Sequence, residues 1–168
     1  MITHRKEMEY MHKIAALAAG LLVASGAIAQ DAGSRRETVG VDAHYMTAEG
    51  NDTWSGAFSY GRLIMSNLEI AGAYTFSGGN RGADKIQGLQ AIGRQWFGTF
   101  GRADSIVPFV QLGVGLEFAN SKYENVVGLG AGIGMFVSNQ SELRLTAKRE
   151  WGGFVDATHV DAGFYYHF

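Results

Sequence analysis

The chain has 168 residues, with 16 acidic and 14 basic side chains, 24 glycines, one proline and no cysteine. The near-balanced charge excludes the clustered basic face that nucleic acid requires. The missing cysteine excludes a disulfide framework and a thiolate metal centre, and glycine without a triplet period excludes a collagen-like rod.

The N-terminus reads as a Sec-type leader. Met11-His12-Lys13 gives a basic start, Ile14 to Gly26 an apolar run of 13 residues, and Ala27-Ile28-Ala29 a small-residue cleavage site. That run is too short for a transmembrane helix. Residues 1–29 are therefore predicted to be removed, leaving 139, with Met1, Met8 and Met11 all open as the start. The leader takes three bases and two acids with it, so 11 basic and 14 acidic side chains remain. Residues 30–37 are polar and unpatterned, a short lead-in, and 38–168 form one predicted domain.

From Thr38 onward the chain alternates large apolar residues with small or polar ones at period two, the pattern of strands with different surroundings on each face. Strand 1 is predicted over Thr38–Thr47, with Val39, Val41, Ala43 and Tyr45 against Gly40, Asp42, His44 and Met46. Strand 2 covers Thr53–Arg62, with Trp54, Phe58 and Tyr60 on one face. Strand 3 covers Leu68–Ser77, with Leu68, Ile70, Tyr74 and Phe76 opposite Glu69, Ala71, Ala73 and Thr75. Strand 4, Lys85–Phe97, breaks the rule: Ile92 and Trp96 oppose Leu89, Ala91 and Phe97, which predicts a bulge. Strand 5, Ile106–Phe118, places Pro108 near its start, where a missing donor does little harm. Strand 6, Val126–Ser138, sets Val127, Leu129, Ala131, Ile133, Met135 and Val137 against Gly128, Gly130, Gly132 and Gly134. Strand 7, Glu142–Trp151, sets Leu143, Leu145, Ala147 and Trp151 against Glu142, Arg144, Thr146, Lys148 and Glu150. Strand 8 runs Thr158–Phe168, with Val160, Ala162, Phe164, Tyr166 and Phe168 on one face and His159, Asp161, Gly163, Tyr165 and His167 on the other.

An even number of strands of about ten residues suits a closed antiparallel barrel crossing a bilayer. A soluble barrel shows the same alternation turned inside out. Three features favour the membrane: glycines crowd the polar face of strand 6, aromatics (Tyr45, Trp54, Phe76, Phe118, Trp151, Phe97) gather near strand ends, and the chain closes on Phe168.

The leader, the Val107-Pro108-Phe109-Val110-Gln111-Leu112-Gly113-Val114-Gly115 stretch and the closing Gly163-Phe164-Tyr165-Tyr166-His167-Phe168 resemble the small outer-membrane β-barrel family. That family includes the OmpA transmembrane domain and OmpX-like proteins. The resemblance implies an all-β, eight-stranded, up-and-down transmembrane barrel in a bacterial outer membrane; the soluble domain that follows the barrel in OmpA-type proteins is expected to be absent, since the sequence stops at Phe168. It also implies partners: outer-membrane lipids including lipopolysaccharide, periplasmic chaperones and the barrel-insertion machinery, which reads a terminal strand such as Phe164, Tyr166 and Phe168. A monomer is expected, and no cofactor.

If the N-terminus lies in the periplasm, the outer loops are 49–52, 78–84, 119–125 and 152–157, all short. The lumen then holds Asp42, Glu69, Glu117, Arg144, Lys148, Glu150, His159 and Asp161, with Arg94 added if strand 4 takes the other parity. Charges in so narrow a lumen must pair, giving a structural plug, or leave a hydrated path, giving a narrow porin-like channel. His44, Glu150, His159 and Asp161 are expected to meet near the outer rim, within a structural network rather than as metal ligands or an acid–base pair. A lipid A-modifying enzyme is disfavoured, since His44 and His159 are followed two residues on by Met46 and Asp161 rather than serine. The expected role is envelope structure without catalysis. Arg149 falls on the lipid face beside Trp151, where a guanidinium near the rim suits a lipopolysaccharide phosphate.

Overall fold

The structure is a computed structural model describing residues 37–48, 51–77, 86–152, 154 and 156–168. The predicted leader, residues 30–36 of the lead-in, and all of the 78–84 loop lie outside the described residues. Eight strands follow in order: β1 (Glu37–Ala48), β2 (Asn51–Met65), β3 (Leu68–Ser77), β4 (Gln87–Trp96), β5 (Ser105–Ala119), β6 (Lys122–Phe136), β7 (Ser141–Gly152) and β8 (Ala157–His167). Each pairs antiparallel with its neighbours in sequence, and β8 pairs with β1 from Thr38↔His167 to Thr47↔Thr158, closing the barrel. Closure leaves no sheet edge unpaired, which a strand in hydrocarbon cannot tolerate. It extends one residue beyond the expected start: Glu37 and Phe168 exchange backbone hydrogen bonds of 2.8 and 2.9 Å.

Short connections dictate this meander. Asn120 and Ser121 both have positive φ, 49° and 62°, a two-residue turn whose twist matches that of paired strands. This corrects the expected loop at 119–125, because β5 and β6 stay paired to Ala119↔Lys122. Hydrophobicity falls off there, but pairing is a backbone property. At the opposite end lie Ser66-Asn67, the 97–104 connection and the turn at 137–140, where Ser138 Oγ accepts from Ser141 N at 2.9 Å. We call the end carrying Glu37 and Phe168 the terminal end and the other the distal end.

The faces are inverted relative to a soluble protein. Val39, Phe58, Leu89, Leu112, Leu129, Leu145, Val160 and Phe164 are exposed on the outside, while Glu69, Arg94, Glu142, Arg144, Glu150 and Asp161 are buried inside. The predicted bulge in β4 is absent. Its register runs unbroken against β3 and β5, so Ile92, Arg94 and Trp96 all point inward. Two bulky apolar residues on the inner face break the simple parity, yet the interior accepts them: Trp96 packs with Phe100 and Phe109, and Ile92 with Ala71 and Ala73. The register shift found lies between Leu63 and Met65 in β2. Pro108 is the fourth residue of β5, later than expected, and its carbonyl still accepts from Phe97 N at 2.9 Å.

The glycines of β6 each lie under a large side chain. A Cβ at Gly132 would stand 2.5 Å from the Phe109 ring, one at Gly134 2.8 Å from Trp96, one at Gly130 2.9 Å from the Lys148 Cβ, and one at Gly128 3.1 Å from the Glu150 Cγ. The smooth β6 wall is what lets neighbouring strands fill a narrow interior.

Candidate functional site

Two clusters fill the lumen. In the terminal half Trp96, Phe100, Phe109, Phe136, Leu63 and Val107 form one buried apolar cluster. Phe100 comes from the 97–104 connection and meets Trp96 edge-on at 4.9 Å and Phe136 at 5.0 Å. The side chain of β7 residue Arg144 sits among these rings, its guanidinium 3.7 Å from the Tyr165 centroid and 5.0 Å from that of Trp96. Glu142 accepts from it twice, at 2.7 and 2.8 Å, and Glu69 lies 3.6 Å away. Glu69 also faces Arg94 at 3.3 Å, and Arg94 donates to Gln111 at 2.9 Å. Bidentate geometry and stacking are what let a guanidinium sit here, where an unpaired charge is strongly penalised. His167 completes the cluster, Nδ1 2.9 Å from the Thr38 hydroxyl and Nε2 3.0 Å from Glu142.

The distal half is polar. His44 Nδ1 lies 2.7 Å from Asp161, His159 Nε2 2.8 Å from Glu150, and Lys148 3.3 Å from Glu150 and 3.5 Å from Asp161. Gln90 donates to Glu150 at 2.8 Å. Asp42 accepts from the Tyr165 hydroxyl at 2.5 and 2.6 Å, at the level where the halves meet. Nearer the rim Glu117 accepts from the Phe154 backbone N–H at 3.0 Å. Cavities of about 50 and 20 Å³ remain, the larger lined by His44, Ser55, Thr75, Gln90, Glu117 and His159. They survive because β2 and β3 face the lumen with small residues, Ser55, Ala57, Ser59, Ala71 and Ala73.

The structure thus brings Lys148, Glu150, His159 and Asp161 into one contact set with His44, and places Glu117 beside it, held by a backbone group. Arg144 and Glu69 belong to the other set, with Arg94. Arg144 finds Glu142 and Glu69, not the distal carboxylates. Glu142, Tyr165, His167, Gln90 and Trp96 are central to these clusters and were not singled out in the sequence. Inward parity marked the first three, but nothing in the sequence ranks one inward residue above another.

One row resembles a hydrolytic constellation. Ser55 is the cross-strand partner of His44, and His44 that of Asp161. However, neither nitrogen of His44 has an aligned hydrogen bond. Ser55 also lies in a strand paired on both sides, where the ladder takes the backbone N–H groups an oxyanion hole would need. Among the described residues, no group of three or more His, Asp or Glu is placed to hold a metal ion.

On the outside, Arg149 donates to Thr158 Oγ1 at 3.1 Å, with Trp151 exposed two residues further on. Phe164, Tyr166 and Phe168 share the outer face of β8, Tyr166 and Phe168 stacked at 6.4 Å, and Tyr45 meets Trp54 at 5.2 Å near the distal end.

An apolar belt around a closed, filled interior defines the fold of the small outer-membrane barrels. No family model and no curated sequence matches the chain. Among solved structures it is similar to Neisserial surface protein A, at 14% identity and a TM-score of 0.64, over 80% of this chain and 97% of that one. It is also similar to the N-terminal β-barrel domain of Pseudomonas aeruginosa OprF, at 18% identity and 0.58, over 78% and 97%. A de novo designed transmembrane β-barrel matches at 18% and 0.56, over 79% and 95%. At these identities the likeness is one of fold, and a designed barrel among the matches illustrates that this fold carries no fixed activity.

Proposed function

We propose that the chain is a structural barrel of the bacterial outer membrane, closed to solutes and without catalysis, its terminal end toward the periplasm. The belt of exposed Val, Leu and Phe supports the membrane setting, since a patch of that extent on a protein in water drives association. The single observation that carries closure is the terminal half: Trp96, fully buried, packs with Phe109 of β5, Phe136 of β6 and Phe100, while Arg144 of β7 and His167 of β8 meet these rings from the other strands. The competing reading, a narrow channel, rests on the distal cavities, which reach down to Arg94 and Tyr165. Planar-bilayer conductance decides between them. The intact protein is expected to be silent and Trp96→Ala/Phe100→Ala to conduct; steady unitary currents from the intact protein would establish the channel. Absence of Ser55 labelling by a fluorophosphonate checks the non-catalytic reading.

The same proposal assigns the apolar end of β8, Phe164, Tyr166 and Phe168, to recognition by the insertion machinery. It assigns Arg149 with Trp151 to lipopolysaccharide at the distal rim.

A further inference from the structure

One cation on the outside of the barrel is left without a partner. Arg62 of β2 shares the outer face with Phe58 and Tyr60, three residues before the strand ends at Met65. That places it about 10 Å along the strand from the terminal rim, where a lipid-facing cation is tolerated because its head reaches headgroups or water. Its cross-strand partner is Glu37, yet the two make no ion pair: the Glu37 carboxylate accepts from the Tyr60 hydroxyl instead. Unlike Arg94, Arg144, Lys148 and Arg149, Arg62 makes no hydrogen bond or ion pair among the described residues, and its Nε is enclosed without a partner.

Beside Arg62 the outer wall is bare backbone. The row of cross-strand partners that starts at Arg62 runs through Ile70 to Gly93, and the row above it runs from Tyr60 through Gly72 to Ala91. A Cβ at Gly72 or Gly93 would meet nothing within 4 Å, whereas one at Gly56, the outward glycine of β2, would stand 2.6 Å from the Phe76 ring. Gly72, Ala91 and Gly93 therefore floor a shallow apolar bed across β3 and β4. Exposed Tyr60 stands on its β2 side, and exposed Leu112 and Val114 stand on its β5 side. The outer faces of β3 and β4 bring no acid to it, so nothing there competes for the guanidinium.

We infer that this part of the wall seats one phospholipid of the leaflet at the terminal end, its phosphate on Arg62 and an acyl chain along Gly72, Ala91 and Gly93. The inference rests on the membrane setting proposed above. A guanidinium presents a planar fork of donors that matches two phosphate oxygens, which an unpaired Arg62 is free to offer. The bed supplies the other half of the recognition: a chain laid on it makes dispersion contacts with backbone and side walls that a gap would forfeit. Head and chain belong to one molecule, so seating either end brings the other to its place.

The test is NMR of the refolded protein in a phosphate-free maltoside detergent, following the Ala91 and Ile70 methyls and the Arg62 Nε–H. Three probes separate the sources of binding: dioleoylphosphatidylglycerol, dioleoylglycerol with chains alone, and glycerol 3-phosphate with phosphate alone. The phospholipid is expected to shift all three signals with one midpoint. Dioleoylglycerol should need about tenfold more, the loss of one charge-assisted hydrogen bond, and glycerol 3-phosphate should leave both methyls unmoved. Arg62→Gln should raise the phospholipid midpoint about tenfold for the same reason, and Gly93→Leu, which fills the bed, should raise it too. Arg149→Gln should leave it unchanged. Equal midpoints for phospholipid and dioleoylglycerol, or an unchanged midpoint in Arg62→Gln, overturn the seat. An Arg62 response to glycerol 3-phosphate as strong as to the phospholipid would mean a free-phosphate site and overturns it too. The comparison of probes uses the unaltered protein and so does not depend on a variant folding. Failure of the membrane setting itself shows separately, as intact protein that does not float with phosphatidylcholine vesicles.

Discussion

In the terminal half of the lumen charges are stacked on aromatic rings and paired one to one; in the distal half they are loosely aligned around cavities. Arg144 shows the first arrangement, with a bidentate carboxylate and a ring face at 3.7 Å. Lys148 shows the second, with two carboxylates at 3.3 and 3.5 Å and neighbours such as Ala73 and Thr75 that do not fill the space. A guanidinium is planar and weakly hydrated, so rings can replace its water; an ammonium is a compact ion that holds its water. The terminal half can therefore be dry, and the distal half is polar enough to stay wet. On the proposed reading, dryness is what closes the barrel.

The strongest way to break this contrast is to remove a charge from the dry half. Arg144→Met should cost on the order of 3–5 kcal/mol, because Glu142 and Glu69 would be left buried and short of a partner. Much of that should return in Arg144→Met/Glu142→Gln, which removes charge from both sides. Urea unfolding of the refolded barrels checks both. Lys148→Met should cost less, since its carboxylates border cavities that water can enter. An equal loss in the two single variants would erase the distinction between the halves.

Packing offers the next largest effect. Gly132→Ala would press a methyl into the Phe109 ring and the backbone of β7, and overpacking of this kind costs roughly 1–3 kcal/mol. Gly93, on the outer face of β4, has nothing within 4 Å of the position a Cβ would take, so Gly93→Ala should be neutral or slightly stabilising. If both glycines tolerate alanine alike, the interior is not tightly filled and the closed reading weakens.

How far the sequence carried depended on which interactions are local. Alternation placed β3 within its observed bounds, Leu68–Ser77, and set the inward parity of Asp42, Glu69, Arg144, Lys148, Glu150 and Asp161. Parity is a property of one strand, and one strand suffices to read it. Partner choice is not local. That Arg144 takes Glu142 and Glu69 depends on strand stagger and on the rings of β4, β5 and β6 around it, and no spacing in β7 encodes that. β4 departs from expectation for a related reason: Trp96 looks lipid-facing until Phe109 and Phe136 are known to pack beside it, and Ile92 until Ala71 and Ala73 are known to share its face. The turn at Asn120-Ser121 was hidden because polar residues such as Lys122 and Glu124 are still paired strand.

At the terminal rim Phe168 joins Glu37 through its backbone, while its side chain is exposed on the outer face. Phe168→Asp should therefore change the unfolding free energy of the refolded barrel by only about 0–1 kcal/mol, the range for a charge near an interface. The loss is expected in assembly: a reduced outer-membrane level in cells, with material degraded beforehand. Normal levels of the variant would remove the terminal strand's side chains from recognition.

The smallest effect lies at the distal rim, on the outside. Arg149 is the cation on the lipid face of β7, with Leu145 and Ala147 below it and Trp151 above, and among the described residues it donates one hydrogen bond, to Thr158. A hydrogen bond at an exposed site contributes about 0.5–1.5 kcal/mol at most, and it engages one of the two terminal nitrogens. The other nitrogen is available to a phosphate, which guanidinium binds in a fork. The two roles separate by membrane composition. Arg149→Gln should leave stability within about 0.5 kcal/mol of the parent in phosphatidylcholine, where the side chain engages only Thr158 and the water it snorkels to. In bilayers containing lipopolysaccharide the variant should lose about 1 kcal/mol more, and Thr158→Val should not reproduce that lipid dependence. Equal losses in both membranes would mean that Arg149 serves only to bridge β7 to β8, and no loss in either would make it a bystander.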